Sequence, residues 1–154
     1  MRQVSKYSAF AFLDRIVKRT GKNTEITRTG FVETDNKTGE TTTSEAYFMK
    51  LHGNDIACLQ PTDGGYNVKR SKAVHISLAG WNTVTTRERL NTLLRVMGKS
   101  NLHIVQHKHK PCLATFVGNK RLVLPINDQR WYDVTELEHM AHLLKVKDKG
   151  QDNG

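Results

Sequence analysis

Cysteine is scarce in this chain, and its two residues, Cys58 and Cys112, stand far apart with no C-x-x-C or Cys/His spacing of the kind that holds zinc. A disulfide-built scaffold and a zinc-finger scaffold are therefore excluded. Each cysteine sits inside an apolar, strand-like run, where desolvation keeps a thiol neutral and unreactive, so both read as reduced core residues and neither as a nucleophile. Long apolar runs are also missing. None approaches the roughly 18 residues of a membrane span, and Met1 to Tyr7 lacks the apolar stretch of a secretory leader, so the expectation is an intracellular protein with no membrane partner. The phosphate-loop pattern G-x-x-x-x-G-K-S/T and the nucleophile elbow G-x-S-x-G are both absent. No cofactor motif, no catalytic residue and no internal repeat can be assigned, and the balance leans away from an enzyme.

Acidic residues are the other shortage: 15 Asp and Glu face 24 Lys and Arg, a formal net charge of +9. Such a field favours polyanions, DNA or RNA first, and disfavours cationic surfaces. The 154 residues suffice for one domain with a true core. Apolar residues, at 37%, are spread along the chain, which argues against disorder except at the end. The expected organisation is a single domain over residues 1–146 and a flexible tail over 147–154.

The most informative stretch is Val74 to Met97. Val74, Ile76 and Leu78 alternate with His75 and Ser77 as in a half-covered strand, and Ala79-Gly80 ends the run. Thr85 with Glu88 fits a capping box, in which each side chain satisfies a backbone N–H that a helix start leaves unpaired. Leu90, Leu93, Leu94 and Met97 then recur at helical spacing, with Arg87, Asn91, Arg95 and Lys99 on the opposite arc. The unit is a strand, a turn bearing Trp81, and an amphipathic helix with a basic outer face.

Around it, Ser5 or Ser8 can cap a first helix carrying Ala9, Leu13, Ile16 and Val17 inward and ending at Thr20-Gly21. Glu25 to Val32 and Thr41 to His52 are β-rich runs joined by a polar turn cluster. Gly53-Asn54 reads as a two-residue hairpin turn that pairs His52 with Asp55, Leu51 with Ile56 and Met49 with Cys58. Tyr66 to Val68 fits a short edge strand, followed by the basic connection Lys69-Arg70-Ser71-Lys72. Further on, Leu102 to His107 fits a strand, and Gly118-Asn119 a second hairpin that sets Leu113, Thr115 and Val117 against Leu122 and Leu124, and Phe116 against Arg121. A second capping box, Thr135 with Glu138, opens a last helix with Leu137, Met140, Ala141 and Leu144 inward. Hairpins without strand-helix-strand alternation give the fold class: α+β, an antiparallel sheet of hairpins with a central amphipathic helix and N- and C-terminal helices.

Histidine chemistry is poorly supported. His75-Ile76-Ser77 has the H-x-S form that two-histidine phosphoesterases present to phosphate in pairs, but no second copy exists. His103, His107 and His109 share a parity but diverge by more than about 10 Å along a straight strand, too far to close on one ion, so no metal is expected. Nucleic-acid binding is better served: Arg87, Arg89, Arg95 and Lys99 on and after the central helix, Lys108 and Lys110 at one hairpin, Lys120 and Arg121 at the next, and Arg130 beside Trp131 and Tyr132. Cationic groups neutralise phosphates and exposed aromatic faces stack on bases, although a tryptophan beside a helix start is more often a packing anchor.

The segments GKNTEI at 21–26, LHGNDIA at 51–57 and ISLAGWNTVTTRERLNTLL at 76–94 together resemble a family of small proteins of tailed bacteriophages. In that family an N-T-E-hydrophobic segment, an L-H-G-N-x-I-A hairpin and a G-W-x-T-x-T-T-x-x-R-L-N helix start recur in this order. The resemblance implies a viral origin and the host bacterial cytoplasm, and carries no activity with it. Two functions follow as expectations: a non-enzymatic accessory protein that binds nucleic acid through a basic surface, or one that binds and inhibits or redirects a host protein with an acidic surface, such as a defence or transcription component.

Overall fold

A computed structural model of the chain describes residues 3–60 and 73–152. The element order is α1 (Gln3–Leu13), β1 (Lys18–Arg19), β2 (Thr24–Thr34), β3 (Thr41–Leu51), β4 (Asn54–Gln60), β5 (Ala73–Ile76), α2 (Val84–Val96), β6 (His103–His107), β7 (Lys110–Val117), β8 (Lys120–Pro125), β9 (Tyr132–Asp133) and α3 (Val134–Asp152). The fold is α+β, as expected, but its strands form two antiparallel sheets, a six-stranded one in the order β1-β2-β3-β4-β5-β9 and a three-stranded one, β6-β7-β8. One core joins them. α2 touches β4 of the larger sheet and β6 of the smaller, while α3 touches β5 and β9 of the first and β7 and β8 of the second. Leu90, Leu93 and Leu94 of α2, Met49, Ile56, Ile76, Ile104, Leu113 and Leu137 are all buried in this shared cluster. The expected strand at 66–68 and the basic connection at 69–72 lie outside the described residues.

Several local expectations shift. α1 stops at Leu13, because Arg15 turns the chain with φ 58°, and Ile16 and Val17 emerge exposed instead of pointing inward. Ser5 and Ser8 are buried inside α1 and do not cap it. Ser8 Oγ donates to the Val4 carbonyl and lies 2.6 Å from Thr20 Oγ1, fastening the return of the chain beneath the helix. Gly21 fits closely there, since a Cβ at this position would come within 2.9 Å of the Val4 side chain and force it to shift.

The helix caps both fall two residues earlier than the Thr-x-x-Glu patterns suggest. Thr83 caps α2, its Oγ1 accepting from the Thr86 N–H, and Asp133 caps α3, its Oδ1 accepting from the Thr135 N–H. Glu88 and Glu138 are thereby released for ion pairing elsewhere. α3 continues to Asp152, and Asp148 is buried against Lys120 at 2.6 Å, so residues 147–152 are helical.

The two Gly-Asn hairpins differ. At the second, the expected register holds, with Leu113 opposite Leu124, Thr115 opposite Leu122 and Phe116 opposite Arg121. At the first, the central turn residues are His52 and Gly53, with φ 52° and 79°, the two successive positive values of a type I′ turn. Leu51 therefore pairs with Asn54 and Lys50 with Asp55, and a bulge before Lys50 brings Met49 opposite Ala57 instead of Cys58.

Candidate nucleic-acid interface

The smaller sheet presents its two faces very differently. Ile104 and Leu113 point into the core, and Lys120, of the same parity, meets Asp148 of α3. The opposite parity, His103, Val105 and His107 on β6, Lys110, Cys112, Ala114 and Phe116 on β7, Arg121 and Val123 on β8, forms the outer face. Small Cys112 and Ala114 are buried beneath their taller neighbours, whereas Phe116 is 44% exposed and is held edge-on by the His103 ring at a centroid distance of 5.5 Å. Arg121 is exposed beside Phe116 on the adjacent strand, and Lys108, His109 and Lys110 crowd the hairpin at the other end. Lys108 and His109, with φ 51° and 67°, form a tight two-residue turn that keeps these side chains close together. Phe116 and Lys110 are six residues apart on one strand, so the face runs for about 20 Å.

No Asp or Glu stands in the chain between Glu88 and Asp128. That gap is the sequence signal for this face, and it embraces both α2's later residues and the whole smaller sheet. Phe116 is the residue that charge counting alone overlooks.

Apart from Arg95, the other basic candidates are committed within the fold. Arg89 is the clearest correction: it is 6% exposed, not on the solvent arc, and its guanidinium donates to Ser5 Oγ at 2.6 Å and Thr24 Oγ1 at 3.3 Å, with Glu88 at 3.7 Å. The packing of α1 against α2 widens the buried stripe of α2 to include this position. Asn91 likewise leaves the solvent arc. Its amide donates to the Ile104 carbonyl and accepts from the Ile104 N–H, docking α2 on β6 as a strand would. Arg87 donates to the Asn82 carbonyl and side chain. Three cations are matched by carboxylates of α3: Lys99 by Glu138, Lys120 by Asp148 and Arg130 by Glu136. The hydrogen bond to Glu136, followed by Tyr132, raises the Arg130 pKa above its ordinary value. Arg95, Lys108, Lys110 and Arg121 are exposed and have no carboxylate partner among the described residues.

Both tryptophans are surface residues, not packing anchors, with Trp81 57% and Trp131 39% exposed. Among the described residues, no group of three or more His, Cys, Asp or Glu could hold a metal, and no helix is long and apolar enough to cross a membrane.

A family model, the Kyanoviridae Gp96 protein, matches residues 1–138. The chain belongs to this bacteriophage protein family. Neither curated proteins nor solved structures give a match. The match extends beyond the three segments that carried the resemblance and takes in the whole of the smaller sheet, so the outer face lies within the Gp96 region of the chain.

Proposed function

We propose that this Gp96-family chain is a non-enzymatic accessory protein that binds single-stranded nucleic acid on the outer face of β6-β7-β8, in the cytoplasm of the infected host. The observation that carries this reading is the exposed Phe116 on a face whose charged groups are all basic. Phe116 stacks on a base, Arg121 takes the neighbouring phosphate, and Lys108 and Lys110 take phosphates at the far end. A flat sheet with an aromatic platform suits unpaired bases, which a duplex keeps stacked and out of reach.

The test is fluorescence anisotropy with labelled single-stranded DNA, single-stranded RNA and duplex at low and rising salt. Saturable binding of a single strand that weakens with salt supports the proposal. No binding at low salt removes it. A second reading, capture of a host protein, is favoured by exposed Tyr7 and Phe10, one helical turn apart on α1, with Ile16 and Val17 just beyond it. It predicts a stoichiometric host partner whose capture is lost in Tyr7→Ser with Phe10→Ser and is untouched by Phe116→Ala.

A further inference from the structure

The three segments 21–26, 51–57 and 76–94 meet at two clefts that share His52, neither of them lined by Phe116. The first, of about 510 Å³, has Leu51 and Ile56 at its floor, Trp81 as a wall, and Asn54 and Thr85 at its rim. That volume lies within the range of small-molecule sites, which combine an apolar lining with a few polar groups. The second cleft, of about 220 Å³, is lined by Arg19, Lys22, Glu25 and Gly53. His52 belongs to both.

The backbone of the dividing turn is anchored. His52 and Gly53 are the central residues of the type I′ turn, and the His52 N–H donates to the Asn23 carbonyl at 2.8 Å, tying the hairpin to the segment that carries Lys22. The backbone of Trp81 is anchored, its N–H donating to the Leu78 carbonyl and its own carbonyl accepting from the Thr83 N–H, and its indole is exposed. The hydroxyls of Thr83 and Thr86 are engaged with each other at 2.9 Å, whereas that of Thr85 makes no hydrogen bond among the described residues. An aromatic wall and apolar floor on one side, with two cations on the other, complement a flat heteroaromatic group joined to an anion. Glu25 lowers the net charge of the second cleft to one positive unit if all three groups are ionised, which suits a phosphate monoanion or diester better than a triphosphate.

We infer that this double cleft binds a nucleotide, its base stacked on Trp81 above Leu51 and Ile56, Thr85 and Asn54 meeting polar edges, and its phosphate lying past His52 at Arg19 and Lys22. The nucleotide is either free or one unit of a strand. None of these residues belongs to the β6-β7-β8 face, so this inference stands or falls separately from the proposed function.

The test uses the full chain carrying Trp131→Phe, which leaves Trp81 as the sole indole. Its fluorescence is followed during titration with the four nucleoside 5′-monophosphates, with adenosine, and with short homo-oligonucleotides. The oligonucleotide arm is run with Phe116→Ala and Arg121→Glu in addition, so that strands held on the sheet do not contribute. Saturable quenching by a monophosphate identifies a free-nucleotide site, and quenching by oligonucleotides alone identifies a site for one unit of a strand. Either supports the inference. Adenosine should bind about tenfold more weakly than its monophosphate, and Arg19→Glu with Lys22→Glu should remove that difference. Calorimetry on Trp81→Ala should show about a tenfold loss of affinity. Absence of quenching by every probe, or measurable binding of nucleoside and monophosphate with equal affinity in the parent chain, overturns it.

Discussion

On the six-stranded sheet, Arg28 faces Glu45 at 3.9 Å and Lys50 faces Asp55 at 2.8 Å, so basic groups there find acidic neighbours on the adjoining strand. On the outer face of the three-stranded sheet, Lys110 and Arg121 have no such neighbour, and the side chain beside Arg121 is an exposed phenylalanine. The exposed Arg28–Glu45 pair contributes little stability, and the half-buried Lys50–Asp55 pair is the closer of the two. The second arrangement leaves like charges clustered around apolar surface, which a fold does not need and a polyanion rewards. Net charge alone does not distinguish these two settings. The position of the acids does.

The largest effect that can be aimed at this comparison is inside the molecule. Arg89→Ala removes a buried guanidinium that donates to Ser5 and Thr24 and lies 3.7 Å from Glu88, and should cost about 3 kcal/mol in urea unfolding, while exposed Arg95→Ala should change stability by less than about 0.5 kcal/mol. Equal small effects would mean that Arg89 is not the internal strut described here. Next, Phe116→Ala should lower single-strand affinity about tenfold at unchanged stability, as loss of one stacked base does. A smaller change is expected for Asp148→Ala, about 1 kcal/mol of destabilisation with faster amide exchange in the last turns of α3, because a buried carboxylate bond to Lys120 is lost. Smallest of all, Arg28→Ala should alter neither stability nor strand affinity measurably, since its partner is exposed and the pair is long.

Sequence reading went furthest where alternation or helical spacing is backed by long apolar residues. The strand at Val74, the leucines of α2 and the Phe116–Arg121 pairing were legible because burial on one face leaves little choice of register. Boundaries were less legible. Thr85 and Glu88 match a capping box in isolation, yet Thr83 competes for the same role and wins where the turn at Gly80 ends. The pattern Ile16-Val17 continues a helical stripe that a single positive φ at Arg15 interrupts. Of the candidate site, the cations at 108, 110 and 121 were legible from charge, but the engagement of Lys99, Lys120 and Arg130 depends on carboxylates of α3 brought in by tertiary packing, which no local pattern carries. The exposure of Trp81 is of the same kind: it follows from how a turn is anchored to residues far away, here through the Gly80 N–H donating to the Asp128 carbonyl.

The most direct measurement is the salt dependence of single-strand binding for three proteins: the parent chain, Lys110→Gln with Arg121→Gln, and Arg28→Gln with Lys50→Gln. Each phosphate contact removed should reduce the slope of log affinity against log salt by about 0.7 for a single strand. The first variant should therefore lose affinity at low salt and flatten the slope by about 1.4, while the second, which removes the same formal charge from the larger sheet, should track the parent. Equal losses from the two variants would show that only total charge matters and would contradict a binding face on β6-β7-β8.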